Sequence, residues 1–177
     1  KVLPAQIAAE RSPLTGAAGL AAPAFVYPNY NDHGYAKVAL DPVSTAWARG
    51  SMGRIASPLL RQQVWGSLWE MVRDQLLASP DYLELVRRSG AEKTLPVVEL
   101  MTETAASAIA RFLPEDRIDA EAHSFVEAAR AAIDAVPPAR ITRASPSRMV
   151  RAAEITACRP EAQAWLIVCA GRSNGIP

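Results

Sequence analysis

The side chains best suited to chemistry are few and scattered. The sequence has two histidines, His33 and His123, and neither begins a His-x-x-x-His pair. A zinc centre needs three or four clustered ligands, so neither histidine points to one. His33 follows Asn31 and Asp32, a trio able to hold an ion only weakly. The same residue types tolerate turn geometry, and a turn accounts for them better. His123 lies beside Ala122 and near Phe125, as a residue at a helix surface or boundary would. Cys158 and Cys169 fall near expected helix C-termini, where the dipole disfavours a thiolate nucleophile. No Gly-x-Ser-x-Gly elbow and no glycine-rich phosphate loop occurs; residues 171–175 read as a turn. The acidic pairs Glu115–Asp116 and Asp119–Glu121 lie at helix boundaries, where negative charge suits the N-terminal end of the dipole. Arg140, Arg143, Arg148 and Arg151 form a basic patch without interleaved aromatics, which fits a solvated face better than a phosphate or nucleic-acid site. No catalytic, cofactor-binding or metal-binding residue is therefore assigned.

The elements that would position these residues are mostly helical. The chain has 177 residues, half of them apolar; alanine supplies 34 and aromatics only 6%. Such a composition favours close-packed helices over a β-sandwich. A net charge of +1 argues against a general nucleic-acid or membrane-surface binder. Two cysteines eleven residues apart form neither a CxxC pair nor a disulfide framework, so a reducing, cytoplasmic setting is expected. The longest apolar run, Ala164 to Ala170, is far too short to span a bilayer. The start, Lys1-Val2-Leu3-Pro4, has neither an initiator Met nor the look of a signal peptide, and a piece of a longer chain is expected.

The character of the chain changes near Asp41. Before it, residues 23–28 and 34–40 read as two short strands joined by the turn at 29–33, a β-hairpin. After it, Asp41-Pro42, Ser57-Pro58, Ser79-Pro80 and Ser145-Pro146 each place a capping residue before a proline. That arrangement suits the first turn of a helix, where the missing proline N–H has no partner to lose. Leu60, Val64, Leu68, Met71 and Val72 form one apolar stripe, widened by Trp65 and Trp69. Further helices are expected after Ser79, with Gly90 placed to end that one, and over 95–113, 119–136, 146–158 and 160–170. Short connections make neighbours antiparallel. The expected fold is mainly α: helical hairpins stacked as a degenerate HEAT-like solenoid, preceded by the hairpin.

Two stretches resemble a known family. Pro28, Asn29, Asn31, Asp32, Tyr35, Ala36, Lys37, Val38, Leu40 and Asp41 fit a P-N-x-D-x-x-Y-A-K-(V/I)-x-L-D strand. Pro58, Leu59, Arg61, Trp65, Gly66, Trp69, Glu70, Met71, Arg73 and Asp74 fit a D/S-P-L-x-R-x-x-x-W-G-x-x-W-(D/E)-M-x-R-D helix. Together they resemble the aminopeptidase N family of zinc metallopeptidases, in its bacterial, actinobacterial-like branch. The resemblance implies that residues 1–40 end a β-sandwich domain and that 41–177 begin a helical C-terminal domain. The family's His-Glu-x-x-His zinc motif and its Gly-x-Met-Glu-Asn motif are not in this sequence. No zinc ligand or catalytic residue is carried over, and zinc would belong to the parent enzyme. The implied role is a helical wall over the chamber that admits peptide N-termini. The implied partners are the parent's catalytic and β-sandwich domains and peptide substrates, with no nucleic acid and no membrane. Tyr27, Tyr30 and Tyr35 are candidates for surface those domains would cover. The alternative is a free-standing helical adaptor that binds a protein partner or an anionic ligand through the arginine patch.

Overall fold

A computed structural model describes residues 1–134. Five α-helices are present among them: α1 (Pro42–Ser51), α2 (Pro58–Arg73), α3 (Ser79–Arg88), α4 (Leu95–Phe112) and α5 (Glu115–Asp134). The helical character expected from composition is therefore observed. The basic patch, both cysteines and the helices expected beyond residue 145 lie outside the described residues.

Capping chemistry sets the helix starts. The Asp41 carboxylate accepts the backbone N–H groups of Val43 and Ser44, and Pro42 takes the position that needs no N–H. Ser57 does the same for α2, accepting the Leu60 N–H. Ser79-Pro80 behaves differently. The helix starts at Ser79 itself, with Ala78 as the cap residue and no side-chain cap. The Ser79 hydroxyl instead donates to the carbonyl of Phe112, at 2.8 Å. That carbonyl belongs to the last turn of α4, where no intrahelical donor remains. Ser79 thus joins two helix ends instead of capping one. The fifth helix begins at Glu115, four residues before the expected 119, because Pro114 precedes an acidic first turn of Glu115 and Asp116.

One core joins the helices. On α2, Val64, Trp65, Leu68, Met71 and Val72 are buried. On α3 the buried residues include Tyr82, Leu83 and Val86, and on α4 Val98, Met101, Ala105, Ala108 and Ile109. Helix α4 packs against both α2 and α3, and α5 packs against α4. The alanines at 105, 106 and 108 are buried on α4 and let its neighbours approach closely. Trp65 meets Tyr82 edge-on at 5.9 Å between ring centroids, and Trp69 meets Phe112 edge-on at 5.5 Å.

The hairpin expected over residues 23–40 is not formed. No strand occurs among the described residues, and Tyr30–Asp32 is a short 3-10 turn. The alternation that suggested a strand has another cause. Val38 and Leu40 are buried in the helical core, while Tyr35, Lys37 and Ala39 are exposed. The Leu40 N–H faces the Met71 sulfur on α2, at 3.4 Å, where a strand would have offered a carbonyl. One-sided burial against helices produces the same alternation as a half-buried strand.

The end of α2 shows a further local device. The Leu76 N–H donates to the Met71 carbonyl (2.8 Å) and the Gln75 N–H to the Val72 carbonyl (3.0 Å), a Schellman arrangement. It requires a left-handed residue, and Gln75 fills that place with φ 61°. A glycine there avoids the Cβ penalty. Gln75→Gly is therefore expected to raise stability by about 0.5–1 kcal/mol, read as a higher urea midpoint with an unchanged slope. At the end of α3, by contrast, Gly90 adopts no left-handed φ; the Ser89 N–H closes that helix on the carbonyls of Leu85 and Val86.

Candidate functional site

Among the described residues, the side chains suited to chemistry are not brought together into a reaction centre. His33 is exposed and follows directly on the 3-10 turn. Asn31 and Asp32 within that turn adopt left-handed φ values of 64° and 58°, as asparagine and aspartate tolerate. Asn29 ties the turn together. Its amide donates to Asp32 Oδ1 (3.0 Å) and to the Gly34 carbonyl (2.8 Å), and its Oδ1 accepts the Gly34 N–H (3.1 Å). His33, Asn31 and Asp32 thus share a turn built for its own hydrogen bonds. His123 is exposed on α5, remote in sequence from that turn. Glu115 and Asp116 occupy the first turn of α5, and Glu121 is engaged by Arg87 and Arg117, each at 2.9 Å. Among the described residues, no group of three or more His, Cys, Asp or Glu side chains could hold a metal ion. No helix among them is long and apolar enough to cross a membrane.

The residues that carry the family resemblance do converge, and they converge on each other. Lys37 reaches from the segment before α1 to two carboxylates at the end of α2: its C-cap residue Asp74 at 2.7 and 2.8 Å and Glu70 at 3.0 Å. The hydrogen bonds that the ammonium donates to Asp74 and then to Glu70 stabilise its charged form and raise the Lys37 pKa. Arg73 holds Glu70 from the other side at 2.6 Å. Tyr27 donates to the Gln63 carbonyl (3.3 Å) and lies 3.1 Å from the Ser67 hydroxyl, and Gln63 donates to the Asn29 carbonyl (3.0 Å). Burial is the main cause that raises the Tyr27 pKa; the bond to Ser67 opposes it, and the Asp32 charge adds to it. Of the three tyrosines considered as uncovered surface, Tyr35 is fully exposed, while Tyr27 and Tyr30 are half-buried.

Two polar clusters deeper in the helical unit have no signal in local spacing. Arg61 forks onto Glu92, Nε to Oε2 at 2.6 Å and Nη2 to Oε1 at 3.1 Å. Its remaining donors go to the Ile55 carbonyl (2.6 Å), the Ala56 carbonyl (3.2 Å) and the Thr94 hydroxyl (2.9 Å). Partial burial disfavours the Glu92 carboxylate. Arg61 and the Thr94 amide and hydroxyl outweigh it and hold the group down to about 2. Tyr82 shares a hydrogen bond with Thr104 in the core, and burial pushes its hydroxyl well above the ordinary phenol range. Only membership of Arg61 in the matched pattern hints that it has a partner; Glu92 lies 31 residues away. The open groove beside α1, lined by Leu40, Met71, Leu76 and Leu77, is largely apolar, with the Arg49–Asp81 ion pair (2.7 Å) among its lining residues. It presents no nucleophile paired with a base.

Comparison with known proteins agrees with this geometry. The chain is 38% identical to aminopeptidase N of Streptomyces lividans over 95 residues, which is 53% of this chain and 11% of that protein. The chain thus spans only a small part of that relative's length. No solved structure matches it. The model of the ERAP1-like C-terminal domain matches residues 25–166, most of the chain. That match begins at Phe25, the residue at which the segment before α1 first stacks on a helical side chain, Trp47. By its sequence, and in a helical unit locked by residues that carry the likeness, this chain belongs to the ERAP1-like C-terminal domain family.

Proposed function

We propose that this chain is the non-catalytic C-terminal part of a zinc aminopeptidase that removes N-terminal amino acids from peptides. In this reading the helices continue as stacked, HEAT-like hairpins and wall the chamber that receives the substrate. By the resemblance residues 1–40 come from the end of a β-sandwich domain and 41–177 from the helical domain, with the last part of the first segment, from Phe25 on, packed against α1 and α2. The zinc ion and the catalytic residues belong to the parent's catalytic domain, and the chain contributes surface for the peptide beyond its first residues. The parent works in the cytoplasm, with neither nucleic acid nor membrane as a partner.

One observation carries the reading. The charged residues and the tryptophans that liken this chain to aminopeptidases are used up in structural roles: Lys37 on Glu70 and Asp74, Arg73 on Glu70, Arg61 on Glu92, Asp41 as a cap, and Trp65 and Trp69 in aromatic packing. A scaffold that presents a surface needs such residues, and a reaction centre would leave some of them free. The wall role is tested in the full-length parent by charge reversals on exposed helical residues such as Arg49 and Asp81. One helical face is expected on which reversals raise KM for long peptides while kcat/KM for a single amino-acid anilide stays unchanged. If no face separates the two substrates, the wall role is wrong.

A further inference from the structure

We infer that the mechanical joint of this chain lies at residues 18–24, so that residues 25–41 travel with the helices as a strap fastened to α1 and α2. The inference stands apart from the peptidase reading and concerns where the helical unit can pivot.

The contrast across residue 24 is sharp. No residue from 1 to 24 is buried. The hydrogen bonds of this stretch stay within it: Ala8 and Ala9 N–H groups go to the Ser12 hydroxyl, and the turn at Thr15–Ala17 closes on its own backbone. From Phe25 onwards anchors follow at short intervals. The Phe25 ring lies 4.7 Å from that of Trp47 on α1. The Val26 N–H donates to the Ser44 hydroxyl of α1 at 2.9 Å. Tyr27 and the Asn29 carbonyl are held by α2, Lys37 is clamped by two carboxylates there, and Val38 and Leu40 are buried. A strap with apolar, hydrogen-bonded and ionic anchors at both ends resists peeling, because releasing one anchor leaves the others in place.

The stretch just upstream has the composition of a pivot. Residues 18–24 are exposed, and all but Leu20 and Pro23 are alanine or glycine. Gly19 sits at φ +77°, a conformation that L side chains rarely adopt, with open space where a Cβ would point. Hinges are short runs of loop residues able to absorb dihedral changes without disturbing packed elements. Here nothing packed needs to be disturbed until Phe25.

Elastase digestion of the 177-residue chain under native conditions tests this, because alanine occurs on both sides of the boundary. Ala18, Ala21, Ala22 and Ala24 lie in the joint; Ala36 and Ala39 lie in the strap and are exposed as well. Cleavage of a folded chain follows local opening more than static exposure. Products that begin between residues 19 and 25 should appear at least about tenfold faster than cuts after Ala36 or Ala39. The double variant Tyr27→Phe, Lys37→Ala should accelerate the strap cuts severalfold and leave the joint cuts unchanged. Comparable rates at both sets of alanines in the unmodified chain would overturn the inference. So would a double variant with unaltered strap cleavage. A variant that unfolds altogether is recognised by early cuts within α2 and α4, and the unmodified chain then decides alone.

Discussion

Replacing Trp65 by alanine is expected to destabilise the helical unit by about 3–5 kcal/mol, a large part of the stability of an ordinary domain. Trp65 is 1% exposed. It lies in the middle of α2 and belongs to the core shared with α3 and α4, where it and Tyr82 form an edge-on ring pair. Deleting the indole removes its transfer free energy. It also leaves a cavity that neighbours cannot fill, because Tyr82 is tied to Thr104 by its hydroxyl. The check is urea denaturation followed by circular dichroism. The midpoint should fall steeply with an unchanged slope, and Trp65→Phe should recover more than half of the loss. A loss below about 1 kcal/mol would mean that α2 does not pack as described.

Arg61→Met is the second large effect, expected at about 2–4 kcal/mol. The guanidinium serves four groups at once: the Glu92 carboxylate, two carbonyls of the α1–α2 connection and the Thr94 hydroxyl. Both partners of the ion pair are nearly buried, with side-chain exposures of 13% and 11%. Removing Arg61 leaves a carboxylate in a poorly solvated place, which costs more than the pair's net contribution. Arg61→Met combined with Glu92→Met should therefore be more stable than Arg61→Met alone, a sign that a double-mutant cycle measures. The pH dependence has a fixed direction. Glu92 is held at about 2, against an ordinary value of 4.5. A depressed carboxylate contributes stability that is fully present above its unfolded value and is lost as pH falls through the folded one. The unmodified chain should lose this contribution between about pH 4.5 and 2, and Glu92→Gln should show a shallower decline over that window.

These two sites also mark what could be seen in the sequence. The stripe through Trp65 is legible because helical periodicity is local: Val64, Leu68 and Met71 recur on one face whatever packs against them. The same holds for Asp41-Pro42 and Ser57-Pro58, whose capping chemistry lies within four residues. Ser79 looks identical on paper, yet its hydroxyl goes to Phe112, 33 residues on, and no local rule contains that partner. Arg61 and Glu92 are hidden for the same reason. The expected hairpin failed at the next level. Alternation at Val38 and Leu40 reports one buried side, and the sequence does not say whether a sheet or a pair of helices does the burying. Two acidic pairs, Glu115–Asp116 and Asp119–Glu121, both suit an N-terminal boundary, and α5 starts at the earlier one instead of the expected 119. The candidate site was legible as a pattern of matched residues, and its structural character emerged only once Lys37 was seen against Glu70 and Asp74.

Under the proposed reading there is a division of labour: this chain would supply packing and surface, and the chemistry would belong to another part of the same protein. The most direct measurement is the hydrolysis of amino-acid anilides by the purified, folded 177-residue chain with added zinc. No turnover above that of zinc and buffer is expected at any substrate concentration. Saturable turnover that a chelator abolishes and zinc restores would contradict the account.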